Sequence, residues 1–149
     1  MIRVGVIGVG TVGSSVVKIL EENAAIITAR AGDTIVVKRG VVRNLDKARD
    51  LGITLSQNPD DIINDPEIDI VVELMGGVEE PFRILKSALA SGKSVVTANK
   101  ALLAYHRYEL QEIAGDIPFE FEASVAGGIP IITALRDGLS ANHITTEHT

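Results

Sequence analysis

Gly8-Val9-Gly10-Thr11-Val12-Gly13 is a stretch whose residue types and spacing can bind a phosphate. Gly8 permits a tight turn, Gly10 lets a pyrophosphate approach the main chain, and Gly13 allows a helix to lie close against a strand. The chemistry is recognition of an anion by backbone N–H groups at the positive end of a helix dipole. A second group suited to recognition is Arg43, in Val41-Val42-Arg43-Asn44. Its guanidinium can pair in bidentate fashion with a ribose 2′-phosphate, with Lys47 close behind in the chain. An acid at the end of the second strand, about 20 residues beyond the glycines, would instead accept from a 2′-hydroxyl. Asp33 stands at that count but precedes the strand, which ends without a carboxylate. These residues predict a dinucleotide site with a preference for NADP over NAD. The alternative is an Arg43 that stacks on adenine or stays a surface charge, with both cofactors accepted.

A glycine triplet means little without the elements that position it. Here the apolar run Val4-Gly5-Val6-Ile7 leads into the turn, and Val12, Val16, Ile19 and Leu20 follow at helical spacing. The period changes from strand to helix with glycines at the junction. Further on, residues 34–37 and 41–42 read as a second strand, bulged near Gly40, and residues 45–51 as a short helix. Asn58-Pro59-Asp60-Asp61 opens another helical turn, because Asn can cap and Pro suits an early helical position. The carboxylates Asp60, Asp61, Asp65 and Glu67 read as a solvated surface without metal-ligand spacing. Residues 68–74 form a buried strand that ends at Met75-Gly76-Gly77. Residues 79–91 form an amphipathic helix with Ile84, Leu85, Ala88 and Leu89 inward and Gly92 beyond its end. A strand at 94–97, a helix over about 105–114 and a strand at 117–122 follow. A glycine-containing turn at 124–130 and a helix at 131–137 complete the order. Strand and helix alternate, which predicts an α/β, Rossmann-type, doubly wound and mostly parallel sheet. Ligands bind such sheets beyond the carboxyl ends of the strands, so the turns after Ile7, Val42, Leu74, Thr97 and Glu122 are the ones to inspect.

Composition narrows the remaining classes. The 149 residues suffice for one domain with a core, and 46% hydrophobic with 23% charged residues suits a globular chain. A net charge of -6 without a basic run argues against nucleic acid as partner. Cysteine is absent, which removes disulfides, thiolate nucleophiles and cysteine-held metals. No apolar run approaches the roughly 20 residues that span a bilayer, and because the chain runs straight into a strand no leader is expected. The expectation is a cytoplasmic domain without membrane contact. His106, His143 and His148 form no metal or triad pattern and read as surface residues.

Beyond the N-terminal turn, Val71-Val72-Glu73-Leu74-Met75-Gly76-Gly77, Val95-Val96-Thr97-Ala98-Asn99-Lys100-Ala101-Leu102 and Phe121-Glu122-Ala123-Ser124-Val125-Ala126-Gly127-Gly128-Ile129-Pro130 occur in that order. Together these motifs resemble the nucleotide-binding part of the homoserine dehydrogenase family and cover most of the chain. The resemblance implies interconversion of L-homoserine and L-aspartate 4-semialdehyde by hydride transfer to or from NADP or NAD. It implies that residues 8–13 hold the pyrophosphate, that Arg43 serves the adenosine side, and that Gly76, Gly77 and Thr97 flank the nicotinamide. Lys100 matches the family's lysine between nicotinamide and substrate, where an ammonium can stabilise charge on a carbonyl oxygen and deliver a proton. From spacing alone, Lys100 could equally be an exposed lysine at a strand end. Glu122, with Val125, Gly127 and Ile129, matches a loop that holds sodium or potassium through oxygen ligands.

Members of that family are substantially longer. The resemblance therefore implies that residues 1–149 are the NAD(P)-binding domain at the start of a longer protein. The substrate and dimerisation domain is expected beyond about residue 140, with any homo-oligomer depending on it. The fragment alone is expected to bind nucleotide without turning over homoserine, since only one reactant is positioned. The rivals are another NAD(P)-dependent amino-acid or aldehyde dehydrogenase and a non-enzymatic nucleotide-sensing module.

Overall fold

In the computed structural model the described residues are 1–8, 17–18, 21–22, 35–43, 53–97, 99–117 and 119–121. Runs of Val and Ile, bounded by glycine and polar residues, form the strands, as β-branched side chains favour a pleated and buried surface. The strands are β1 (Ile2–Ile7), β2 (Ile35–Val41), β3 (Thr54–Ser56), β4 (Ile70–Glu73), β5 (Ser94–Thr97) and β6 (Phe119–Phe121). Between them stand helices α1 (Asp60–Ile63), α2 (Glu79–Ala90) and α3 (Lys100–Ala114). All pairings are parallel, in the order β3-β2-β1-β4-β5-β6. That is the doubly wound arrangement the alternation predicts. Val17, inside the predicted first helix, is helical and fully buried, whereas Lys18, Glu21 and Glu22 are exposed.

The interior strands β1 and β4 carry Val4, Val6, Ile7, Val71 and Val72 with no solvent exposure. On the face of the sheet that carries Ile7, Val71 and Val95, α2 packs with the stripe expected of it, Ile84, Leu85, Ala88 and Leu89, and α3 adds Leu102, Leu110 and Ala114. Each fully buried Val, Ile or Leu side chain among these contributes about 1.5–3 kcal/mol relative to exposure. α2 stops where Gly92 takes φ +84° and its N–H donates to the Leu89 carbonyl at 3.0 Å.

Several elements differ from the sequence reading. The irregularity in β2 falls at Lys38, since Val4 pairs with Val37 and Gly5 with Arg39. The predicted bulge near Gly40 is thus displaced by two residues. The consequence is that consecutive side chains Lys38 and Arg39 both reach Asp65, whose carboxylate is only 8% exposed. Asp65 is therefore an ion-pair centre rather than a solvated acid. Its pKa falls to about 2, chiefly through the hydrogen bond from Lys38. The short β3 has no period long enough to announce it; it forms by adding to β2. α3 begins at Lys100, five residues before the predicted start at 105, because the Asn99 side chain caps it by accepting from the Leu102 N–H at 3.1 Å. His106 is no free surface residue either. Its ring stacks on Phe82 at 3.8 Å and its Nδ1 lies 3.0 Å from Glu109. His143 and His148, like the predicted helices at 45–51 and 131–137, lie outside the described residues.

Candidate cofactor-binding site

Chain connectivity runs outward from β1 through β2 to β3, then returns to β4 on the other side of β1. The carboxyl ends of β1 and β4 therefore lie at the point where strand order reverses, the place where open α/β sheets receive ligands. At that point the chain leaves β1 under tight constraint. Gly8 has φ +96°, and its N–H donates to the Val41 carbonyl at 2.9 Å. A Cβ on Gly8 would sit 2.8 Å from both the Leu74 carbonyl carbon and the Met75 nitrogen. The Leu74 N–H in turn donates to the Ile7 carbonyl at 2.8 Å. Glycine is thus required both by backbone conformation and by the closeness of β4. A positive φ at Gly8 is the conformation that a glycine leaving the strand permits. Val9, Gly10, Thr11, Val12 and Gly13 lie outside the described residues.

Gly76 and Gly77 follow β4 with φ +79° and +83°. Nothing lies within 4 Å of a Cβ built on either one, so here glycine answers to conformation alone. Two successive left-handed residues turn the chain off the sheet edge and into α2, leaving an open stretch of main chain. On the other side of β1, Arg43 is exposed just past β2. Its carbonyl accepts from Gln57 Nε2 at 2.8 Å, while the Val42 N–H donates to the Ser56 carbonyl at 2.9 Å. A side chain from the β3 end thereby steadies the backbone that carries the guanidinium.

Between β4 and β5 lies a polar cluster of which the sequence reading names a role only for Thr97. Glu73, the last residue of β4, is fully buried. Its Oε1 accepts from Asn99 Nδ2 at 3.0 Å, and its Oε2 accepts from the Thr97 hydroxyl at 3.4 Å. Burial pushes the Glu73 carboxyl up; hydrogen bonds from Asn99, Thr97 and the Met75 N–H act in the opposite direction. Asn99 Nδ2 also donates to the Gly77 carbonyl at 2.7 Å, and the Asn99 N–H donates to Thr97 Oγ1 at 3.1 Å. The Thr97 hydroxyl is thus engaged on both sides, within a fully buried residue. One clue was available in the sequence. An acid ending a strand that is apolar on both faces has no water to turn to and must find donors in the protein.

Lys100 is exposed at the first position of α3, directly after its cap, and no acid stands in that first turn. A cation there opposes the helix dipole at a cost of about 0.3–1 kcal/mol. Glu122, Val125, Gly127 and Ile129, the predicted cation loop, lie outside the described residues. Among the described residues no group of three or more His, Asp or Glu side chains could hold a metal. The remaining predicted positions, Arg43, Gly8, Gly76, Gly77, Thr97 and Lys100, all fall on the carboxyl edge of the neighbouring strands β2, β1, β4 and β5. A cationic side chain stands at each end of that edge, with glycine-built turns between.

Strand order and a glycine turn at the reversal point define a dinucleotide-binding Rossmann domain. Comparison with known proteins narrows the class. The family described as homoserine dehydrogenase, NAD binding domain, matches residues 8–116. A homoserine dehydrogenase of Helicobacter pylori is 57% identical over 143 residues, covering 96% of this chain and 34% of that protein. One from Bacillus subtilis is 44% identical over 149 residues, covering 97% of this chain and 34% of that protein. The crystal structure of a homoserine dehydrogenase from Thiobacillus denitrificans superposes with a TM-score of 0.80 at 53% identity, covering 94% of this chain and 33% of that one. This chain belongs to the homoserine dehydrogenase NAD-binding domain family, and its cofactor is a nicotinamide dinucleotide. It spans about a third of the length of the curated relatives it matches. No helix among the described residues is long and apolar enough to cross a membrane.

Proposed function

We propose that this domain holds NADP for a homoserine dehydrogenase of the cytoplasm, which interconverts L-homoserine and L-aspartate 4-semialdehyde. In this reading the cofactor lies along the carboxyl edge, with its adenosine near Arg43 and its pyrophosphate on residues 8–13. The nicotinamide end lies by Gly76, Gly77 and the cap of α3. The observation that carries the reading is Lys100, held exposed at a helix start where electrostatics disfavour a cation, in a chain of this family. The cofactor supplies hydride acceptance and donation when bound. Lys100 stabilises negative charge on the substrate oxygen during aldehyde reduction and delivers a proton to it; in the oxidation direction it assists loss of the hydroxyl proton.

Glu122 with the Val125, Gly127 and Ile129 carbonyls forms a sodium or potassium site in the same proposal, supported by the motif and the preference of such ions for oxygen ligands. The substrate-holding and dimerising parts belong to a further domain, consistent with the share of the relatives that this chain spans. Homo-oligomers depend on that domain, and neither nucleic acid nor membrane is a partner. The test is Lys100→Met in the full-length enzyme. Homoserine-dependent reduction of NADP should fall about 10²–10⁴-fold while cofactor binding is retained. Unchanged turnover in the variant, or no turnover of homoserine by the wild type, would refute the assignment.

A further inference from the structure

The buried cluster at the β4 and β5 ends has a property that its stabilising role does not require. Every hydrogen-bonding atom of the Asn99 amide is committed. Oδ1 caps α3 through the Leu102 N–H, while Nδ2 serves both Glu73 Oε1 and the Gly77 carbonyl. An amide can be held in either of two orientations, and here the Leu102 N–H at Oδ1 and both acceptors at Nδ2 favour the same one. Of the two acceptors Glu73 is the buried one, anchored in the last register position of β4 opposite Thr97 of β5. The Gly77 carbonyl belongs to a turn with two left-handed glycines, and nothing lies within 4 Å of a Cβ built on either.

We infer that Glu73 is a positioning residue for the cofactor's nicotinamide end: through Asn99 it clamps the Gly76-Gly77 turn to the first turn of α3. The open main chain of the glycine turn and the Lys100 ammonium are then fixed relative to each other before ligand arrives. Preorganisation of this kind lowers the ordering cost of binding. The clamp serves the nicotinamide side of the edge. Arg43 and the β2 end, on the other side of β1, have their own support from Gln57. The inference rests on the proposed placement of the nicotinamide by this turn, but not on the identity of the substrate.

The experiment uses Glu73→Gln, Asn99→Asp and the double variant in the full-length protein. Affinity is measured for the reduced cofactor and for the matching ADP-ribose fragment, which lacks nicotinamide. Asn99→Asp keeps a good helix cap but faces Glu73 with a second carboxylate and removes the donor to Gly77. Each single variant should lose about tenfold in affinity for the whole cofactor, the scale of one charge-assisted hydrogen bond, with the ADP-ribose fragment bound as before. In the double variant Gln at 73 can donate to Asp at 99, so the combined loss should be smaller than the product of the single losses. Equal weakening of whole cofactor and fragment would show a merely structural role and overturn the inference. Unchanged cofactor affinity in Asn99→Asp, or losses that simply multiply, would overturn it as well. Should Glu73→Gln fail to fold, Asn99→Asp decides alone, by the same comparison of whole cofactor with fragment. Failure of the wild type to turn over homoserine would refute the proposed reaction and leave this comparison standing.

Discussion

Gly8→Ala tests the geometry at the strand reversal most directly. At φ +96° an alanine meets the intrinsic penalty of a left-handed conformation, about 1–2 kcal/mol. Its Cβ would also lie 2.8 Å from two backbone atoms of the Leu74–Met75 peptide, with the Leu74 oxygen at 3.0 Å. Backbone cannot swing away as the end of a long side chain can. The Leu74 N–H is tied to Ile7, and the Gly8 N–H is tied to Val41. Forcing the β4 end aside adds an overpacking cost of about 1–3 kcal/mol. The expected destabilisation is therefore about 2–5 kcal/mol, a large share of the 5–15 kcal/mol typical of a domain. Gly76→Ala is the internal control, since φ is +79° there but no atom lies within 4 Å of the new carbon. Only the conformational penalty of about 1–2 kcal/mol should appear. Urea unfolding followed by circular dichroism, with slopes compared to confirm a common unfolded state, measures the difference. A Gly8→Ala variant no less stable than Gly76→Ala would refute the claim that β4 crowds this turn.

The other consequences can be checked in parallel. Arg43→Ala should cost about ten- to a hundredfold in NADP affinity and leave NAD binding unchanged; equal titrations of NADP and NAD by the wild type would refute the preference. Asp65 titrates near 2 in the folded protein against 3.8 as its ordinary value, so its stabilising effect is complete above the ordinary value and is lost as pH falls through the folded one. Asp65→Asn should flatten the acid limb of a stability profile in that window, and an unchanged acid limb would count against the ion-pair assignment. Lys93, buried, donates through Nζ to the Asp65 carbonyl at 2.6 Å and the Ile68 carbonyl at 2.9 Å. Lys93→Met leaves those acceptors without that donor and should lower unfolding free energy by about 1–3 kcal/mol, measured by denaturant titration.

The alternation of strand and helix, and hence the parallel sheet and its ligand-binding edge, is legible in the order of residues alone. Periodicity is a local property, and burial on one face of α2 or both faces of β1 leaves it in plain view at Ile84, Leu85, Ala88 and Leu89 or at Val4-Gly5-Val6-Ile7. The first glycine of the turn was legible for the same reason, because a strand that stops at Gly8 before a helical period admits few other geometries. Which distant residues share that edge depends on how the strands assemble. α3 starts at Lys100 because Asn99 caps it, and the amide of that cap also donates to Glu73, 26 positions earlier. Asp65 turned from surface acid to ion-pair centre because a shift in strand register brought Lys38 and Arg39 to it together. Such pairings depend on strand neighbours and register, which side-chain periods constrain to a face but not to a partner. The demand for glycine at position 8 likewise divides in two: the turn was readable from the chain, whereas the contact with Leu74 and Met75 exists only once β4 lies beside β1.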